Sequence, residues 1–111
     1  MSETFDLIIT TVNSGYSDVV MEAARLAGAR GGTILHARGS VGEEMKKFFG
    51  VTIDPEKEVV LILTIRENRV AMMSAIKDAA GLKTEARGLS FSLPVDDVAG
   101  IPIQFDESST E

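Results

Sequence analysis

One pattern, punctuated by glycine, occurs twice along this chain and limits its possible folds more than any other feature. Ala27-Gly28 closes one amphipathic stretch, and Ala80-Gly81 closes another 53 residues later. The same offset lays the apolar run 7–12 on the run 60–65. Each apolar run is followed by a helix pattern and then by a further strand pattern. The chain is a strand–helix–strand unit written twice.

The local signals fill in that outline. Residues 5–12, Phe-Asp-Leu-Ile-Ile-Thr-Thr-Val, are β-branched and stop at the turn cluster Asn13-Ser14-Gly15, which predicts a strand. A helix is predicted over 17–28, with Ser17 as N-cap and Asp18 at the positive end of its dipole. Val20, Ala23, Ala24 and Ala27 share its inward face. Gly28 falls where a helix end favours positive φ, and Gly31 and Gly32 offer a reversal into a short strand, 33–37. Residues 58–65 form the most hydrophobic run and read as a buried strand. A second helix is predicted over 67–80, with Val70, Met73, Ile76 and Ala80 inward. Thr64 and Glu67 have capping-box spacing, Asn68 is an equal candidate for the cap, and Gly81 ends the helix. Residues 88–95 alternate as a half-exposed strand does, and Pro94 keeps that strand from a central position. Two such units interleave into an α+β, ferredoxin-like βαββαβ domain: a four-stranded antiparallel sheet with both helices on one face. Strand 58–65 is apolar on both faces, so the uncovered face of the sheet calls for a second layer from other subunits. The expected domain is 1–105, and 106–111 is an acidic, Ser/Thr-rich tail of the kind that stays flexible.

Composition narrows the function classes. A chain of 111 residues suits one domain, and aromatic residues at 5% with no Trp require an aliphatic core. The absence of Cys excludes disulfides and thiolate metal sites, and fits a reducing compartment. A net charge of −6 opposes general nucleic-acid binding. No apolar run reaches the ~20 residues of a membrane span, and the acidic N-terminus lacks a signal-peptide core. These features predict a soluble, cytoplasmic protein.

No catalytic constellation stands out. His36 is the single histidine and lies among apolar neighbours, either packed or at an interface, or touching a ligand. Ser14, Ser17 and Ser40 have no evident base. The pairs Glu43-Glu44 and Asp96-Asp97 are solvated charge or a site for a hard cation. Residues 40–56 form an irregular excursion. In it, Glu43, Lys46, Lys47, Phe48 and Phe49 make a short amphipathic piece that either meets a partner or tucks against the body. Arg38 and Arg87 flank strands that belong on opposite edges of the sheet, so they converge only across a subunit boundary. There they either grip a phosphate by bidentate hydrogen bonds or make surface ion pairs.

The double unit with its excursion, and above all Gly-Ala-Arg-Gly-Gly-Thr-Ile-Leu-His-Ala-Arg-Gly at 28–39 and Gly-Leu-Ser-Phe-Ser-Leu-Pro-Val at 88–95, resembles the PII signal-transduction proteins and their PII-like relatives. The resemblance covers roughly residues 5–101. It implies a homotrimer whose sheets face inward. Three intersubunit clefts would bind an adenine nucleotide (ATP, ADP or AMP) or a related small anion as effector; the residues themselves point to no metal cofactor and no enzymatic step. Segment 40–56 looks like the T-loop, which contacts a target protein such as a membrane transporter or a metabolic enzyme. Residues 83–88 look like the B-loop, which lies along the phosphates. Carried over by position, Thr33 lies near the adenine, Gly39 opens the T-loop and Gly88 closes the B-loop. Backbone amides of Gly39, Arg87 and Gly88 are then expected at the phosphates, with Lys83 and Arg38 adding charge.

This chain departs from PII proteins in having Leu89 after the last B-loop glycine, Ile-Pro-Ile at 101–103 where paired arginines are usual, and no Tyr within 40–56. These departures imply an altered ligand preference. Two other classes stay open at this stage: a metal-responsive or structural trimer akin to the divalent-cation-tolerance proteins, and a slow nucleotide hydrolase.

Overall fold

The computed structural model describes residues 4–40 and 55–100. Most of segment 40–56, with Glu43, Lys46, Lys47, Phe48 and Phe49, and the whole tail 106–111 lie outside the described residues. The element order is β1 (Phe5–Asn13), α1 (Ser17–Leu26), β2 (Thr33–Arg38), β3 (Glu56–Ile65), a 3-10 turn (Arg66–Asn68), α2 (Arg69–Ala80) and β4 (Leu89–Val95). The sheet has the order β2-β3-β1-β4 with every neighbouring pair antiparallel, as the repeated unit predicts.

Register sorts the side chains. Ile8 pairs with Ile62 and Thr10 with Val60 across β1 and β3. These residues are buried and share one face with Val12. The helices cover that face with Val20, Ala23 and Ala24 from α1 and Met72, Ile76 and Ala80 from α2. Small residues on α1 let its axis approach the sheet closely. The alternate positions, Leu7, Ile9, Leu61, Leu63, Phe91 and Leu93, line the other face, which no described element of the chain covers. Leu63, Phe91 and Leu93 are exposed there. Pro94 sits on the edge strand β4, where a residue without an N–H is tolerated.

The helix ends show which local signals prevailed. At the end of α1 the Gly28 N–H donates to the Arg25 carbonyl and the Ala29 N–H to the Ala24 carbonyl, at 3.0 and 2.9 Å. With Gly28 at φ 110 and Ala24 and Ala29 both buried, this is a complete Schellman closure. Gly31 and Gly32 have no positive φ, so the reversal after α1 rests on Gly28 alone.

Several expectations need correction. Ser17 is the first helical residue rather than the cap. Tyr16 holds the cap position without a side-chain bond, and the Ser17 amide donates to Glu58 of β3 instead. Asn68 holds the N-cap position of α2 without a side-chain bond; Thr64 does not cap it, and its hydroxyl donates to the Ile65 carbonyl. Val70 points outward at 68% exposure; Met72, one turn before the buried Ile76, takes the core position, and Met73 packs against the core at its side. Among the described residues no helix is long and apolar enough to cross a membrane.

Candidate functional site

The predicted ligand residues fall in three places on one subunit. Thr33 opens β2 and lies in a cleft of about 780 Å³ with Gly28, Arg30, Asn68 and the uncovered-face residues Leu7, Leu61 and Leu63. The cleft sets the polar groups of Arg30, Thr33 and Asn68 beside an apolar wall. Arg38 ends β2, in a polar depression shared with His36, Glu56 and Lys57. Lys83 and Gly88 line a separate cleft between α2 and β4, also about 780 Å³. Arg87 precedes Gly88 and is exposed.

Strand directions decide what can meet. β2 runs parallel to β1, and β4 runs antiparallel to both. Arg38 and Arg87 therefore lie at the same end of the sheet. They lie on opposite edges, three strand spacings or about 14 Å apart. Thr33 is five residues back along β2, about 17 Å from Arg38. The fold of one chain thus brings Arg38 and Gly39 together, and separately Lys83, Arg87 and Gly88. It does not bring the two groups or Thr33 into one pocket.

The backbone amides expected at phosphate have internal acceptors. Gly39 N–H donates to the Pro55 carbonyl at 2.8 Å, Arg87 N–H to the Thr84 carbonyl at 3.1 Å and Gly88 N–H to the Ala80 carbonyl at 2.7 Å. Each of the three amides therefore has an internal acceptor in this conformation. Gly88 is glycine for a packing reason: a Cβ there would stand 2.1 Å from the Ala80 carbonyl oxygen. Arg87 adopts φ 53, a left-handed conformation unusual for a residue with a side chain.

Two buried carboxylates, unremarked in the sequence, organise the two ends of the sheet. Asp6 is 1% exposed and receives both Nε and Nη2 of Arg66 at 2.9–3.2 Å and Nη1 of Arg69 at 3.2 Å. The Arg66 hydrogen bonds hold its carboxyl below the usual range despite burial, and Asp6 in turn raises the Arg66 pKa. Glu58 accepts from Gly15 N–H and Ser17 N–H at the start of α1. Hydrogen bonding from Ser17, first through its side chain, and from Gly15 lowers the Glu58 pKa against the opposing effect of burial. The signal for both was available: each acid occupies an inward position of its strand, in phase with Ile8 and Ile62, where only a paired carboxylate is tolerated. His36 is not packed within the subunit: its side chain is 86% exposed, with Nδ1 3.9 Å from Glu58 Oε2, which leaves the interface and ligand readings open. Its place on edge strand β2 leaves one flank open. Among the described residues no group of three or more His, Cys, Asp or Glu is placed to hold a metal ion.

No protein-family model matches the chain, and no curated protein matches it by sequence. Solved structures do match. PII from Arabidopsis thaliana, in a crystal structure bound to citrate, superposes with a TM-score of 0.65 at 21% identity, covering 90% of this chain and 82% of that one. A putative PII-like signalling protein from Thermus thermophilus superposes with a TM-score of 0.63 at 15% identity, covering 84% of this chain and 87% of that one. With these superpositions over most of its length, and with its four-stranded antiparallel sheet and two helices, the chain has the PII-like fold.

Proposed function

We propose that this chain is a homotrimeric, cytoplasmic PII-like signalling protein that binds an adenine nucleotide between subunits and regulates a target protein through segment 40–56. The observation that carries the reading is the uncovered apolar face of the sheet, together with candidate ligand residues at its two opposite edges. Closing that face against copies of itself removes Leu63, Phe91 and Leu93 from water, at about 25 cal/mol for each Å² of apolar surface. The same closure lets the β2 edge of one subunit approach the β4 edge of the next. Arg38 and Gly39 then face Lys83, Arg87 and Gly88 across the boundary, with Thr33 and its apolar cleft supplying the base-binding part.

The role is binding rather than catalysis. Phosphates would be held by guanidinium forks and the Lys83 ammonium. The nucleotide would shift segment 40–56 only as far as it contacts that segment more in one state than another. Glu43, Lys46, Lys47, Phe48 and Phe49 would present the surface that a transporter or metabolic enzyme reads. Light scattering combined with calorimetric titration of ATP, ADP and AMP tests the reading. A trimer that binds one of them and forms no hydrolysis product is the expected result. A monomer, or a trimer indifferent to all three, would refute it.

A further inference from the structure

Two segments that the nucleotide reading needs, Gly39 at the end of β2 and the turn Lys83 to Gly88, stand at one end of the sheet. A continuous run of contacts joins them inside a single subunit. The Lys57 stem lies along Gly39, where an added Cβ would meet Lys57 Cε at 3.2 Å and Cγ at 3.4 Å. Lys57 Nζ donates to Asn13 Oδ1 at 2.8 Å. Asn13 Nδ2 donates to the Glu85 carbonyl at 3.0 Å, and Asn13 N–H donates to the Ala86 carbonyl at 2.8 Å. The Tyr16 hydroxyl donates to the Glu85 carboxylate at 3.0 Å, which fixes the same residue from its other end.

The chemistry of these groups leaves one arrangement. An ammonium only donates and a carbonyl only accepts, so the side chain between them must offer an acceptor on one side and a donor on the other. Asn13 does so when Oδ1 faces Lys57 and Nδ2 faces Glu85. Aspartate would accept from Lys57 but set a carboxylate oxygen against the Glu85 carbonyl. The turn so held leads directly into Arg87, whose left-handed φ of 53 persists only if its surroundings impose it.

We infer that Asn13, oriented by Lys57, is a positioning residue that couples the root of segment 40–56 to the turn Lys83 to Gly88. Its functional meaning rests on the nucleotide reading above, but the coupling belongs to the chain alone. A ligand that pulls on Arg87 would be felt at Gly39 through Asn13 and Lys57. By linkage, a partner that displaces the segment's root would alter affinity at the turn to the same degree.

Amide hydrogen exchange of the ligand-free protein, resolved by residue, tests this. Lys57→Met keeps an unbranched stem beside Gly39 and removes the donor, and Asn13→Asp keeps the acceptor and removes the donor to Glu85. Both are expected to speed exchange at Arg87 and Gly88 by roughly two- to tenfold, the range for one lost hydrogen bond. Lys57→Arg should restore the parent rates. The double variant should go little beyond Asn13→Asp, because the two residues act in series. Exchange at Ala24, in the α1 core, should not change. Parent rates at Arg87 and Gly88 in Lys57→Met would overturn the coupling, as would equal acceleration at Ala24. ATP titration of the same samples separates the two ideas: altered exchange without ATP binding by the parent keeps the coupling and removes the nucleotide, and the converse does the opposite.

Discussion

Glu58 Oε1 on β3 lies 3.1 Å from the Ser17 amide nitrogen at the start of α1 and 3.1 Å from that of Gly15. One carboxylate from the sheet thus caps the helix that packs on it, a task the sequence assigned to Ser17 itself. A negative charge at this point also faces the positive end of the helix dipole. Secondary structure and tertiary packing are therefore joined at a single side chain.

Removing that side chain should be costly. Glu58→Ala is expected to lose about 1–2 kcal/mol, the upper range for a lost cap. Glu58→Gln, which keeps an acceptor oxygen but no charge, should lose less. Urea unfolding midpoints at neutral pH would show the order, and equal stability of Glu58→Ala and the parent would contradict the capping role.

Acid should weaken the fold in a predictable direction. Asp6 and Glu58 both have lowered pKa values in the folded protein. Their contribution is complete above the unfolded carboxylate pKa values, about 4, and is lost as pH falls through the lower folded values. Stability should be level above about pH 5 and decline below pH 4. Asp6→Asn should flatten part of that decline while lowering stability at neutral pH, because Arg66 and Arg69 then lose their shared anion. A decline of unchanged steepness in Asp6→Asn would assign the acid sensitivity elsewhere.

The uncovered sheet face makes assembly testable with one substitution. Leu63 is 36% exposed on that face, on β3, one of the two inner strands of the sheet. Leu63→Asp places a charge where a neighbouring subunit is expected and should yield monomers, since an unpaired buried charge is strongly disfavoured. Light scattering should give a trimer for the parent. A variant that remains trimeric would place the interface on another surface.

Arg38→Ala and Arg87→Ala should each weaken nucleotide binding about tenfold or more, the scale of a lost charged hydrogen bond. Arg87→Gly separates binding from stability. It removes the left-handed penalty and should stabilise the fold by about 1 kcal/mol while losing the same affinity. Glu22→Ala should change nothing, since Glu22 pairs with the exposed Arg25 on the outer helix surface. Parent-like affinity in both arginine variants would remove the phosphate site.

The repeated strand–helix–strand pattern, with alternation in 5–12 and 58–65 and Pro94 near the end of the last strand, was enough to determine the sheet order, the helix layer and the edge position of β4. These follow from period and turn chemistry, which act over a few residues, and from the few ways two such units can interleave. Gly28 was legible for the same reason, since its φ answers to the helix it closes.

What tertiary structure alone decided involves partners distant in sequence. Glu58 rather than Ser17 caps α1, Met72 rather than Val70 enters the core, and Asp6 is balanced by Arg66 and Arg69 some sixty residues away. Gly88 is required by the Ala80 carbonyl, and Asn13 gains its meaning from Lys57 and Glu85. A hydrogen bond needs both groups within about 3 Å, and only the folded sheet sets which donor reaches which acceptor.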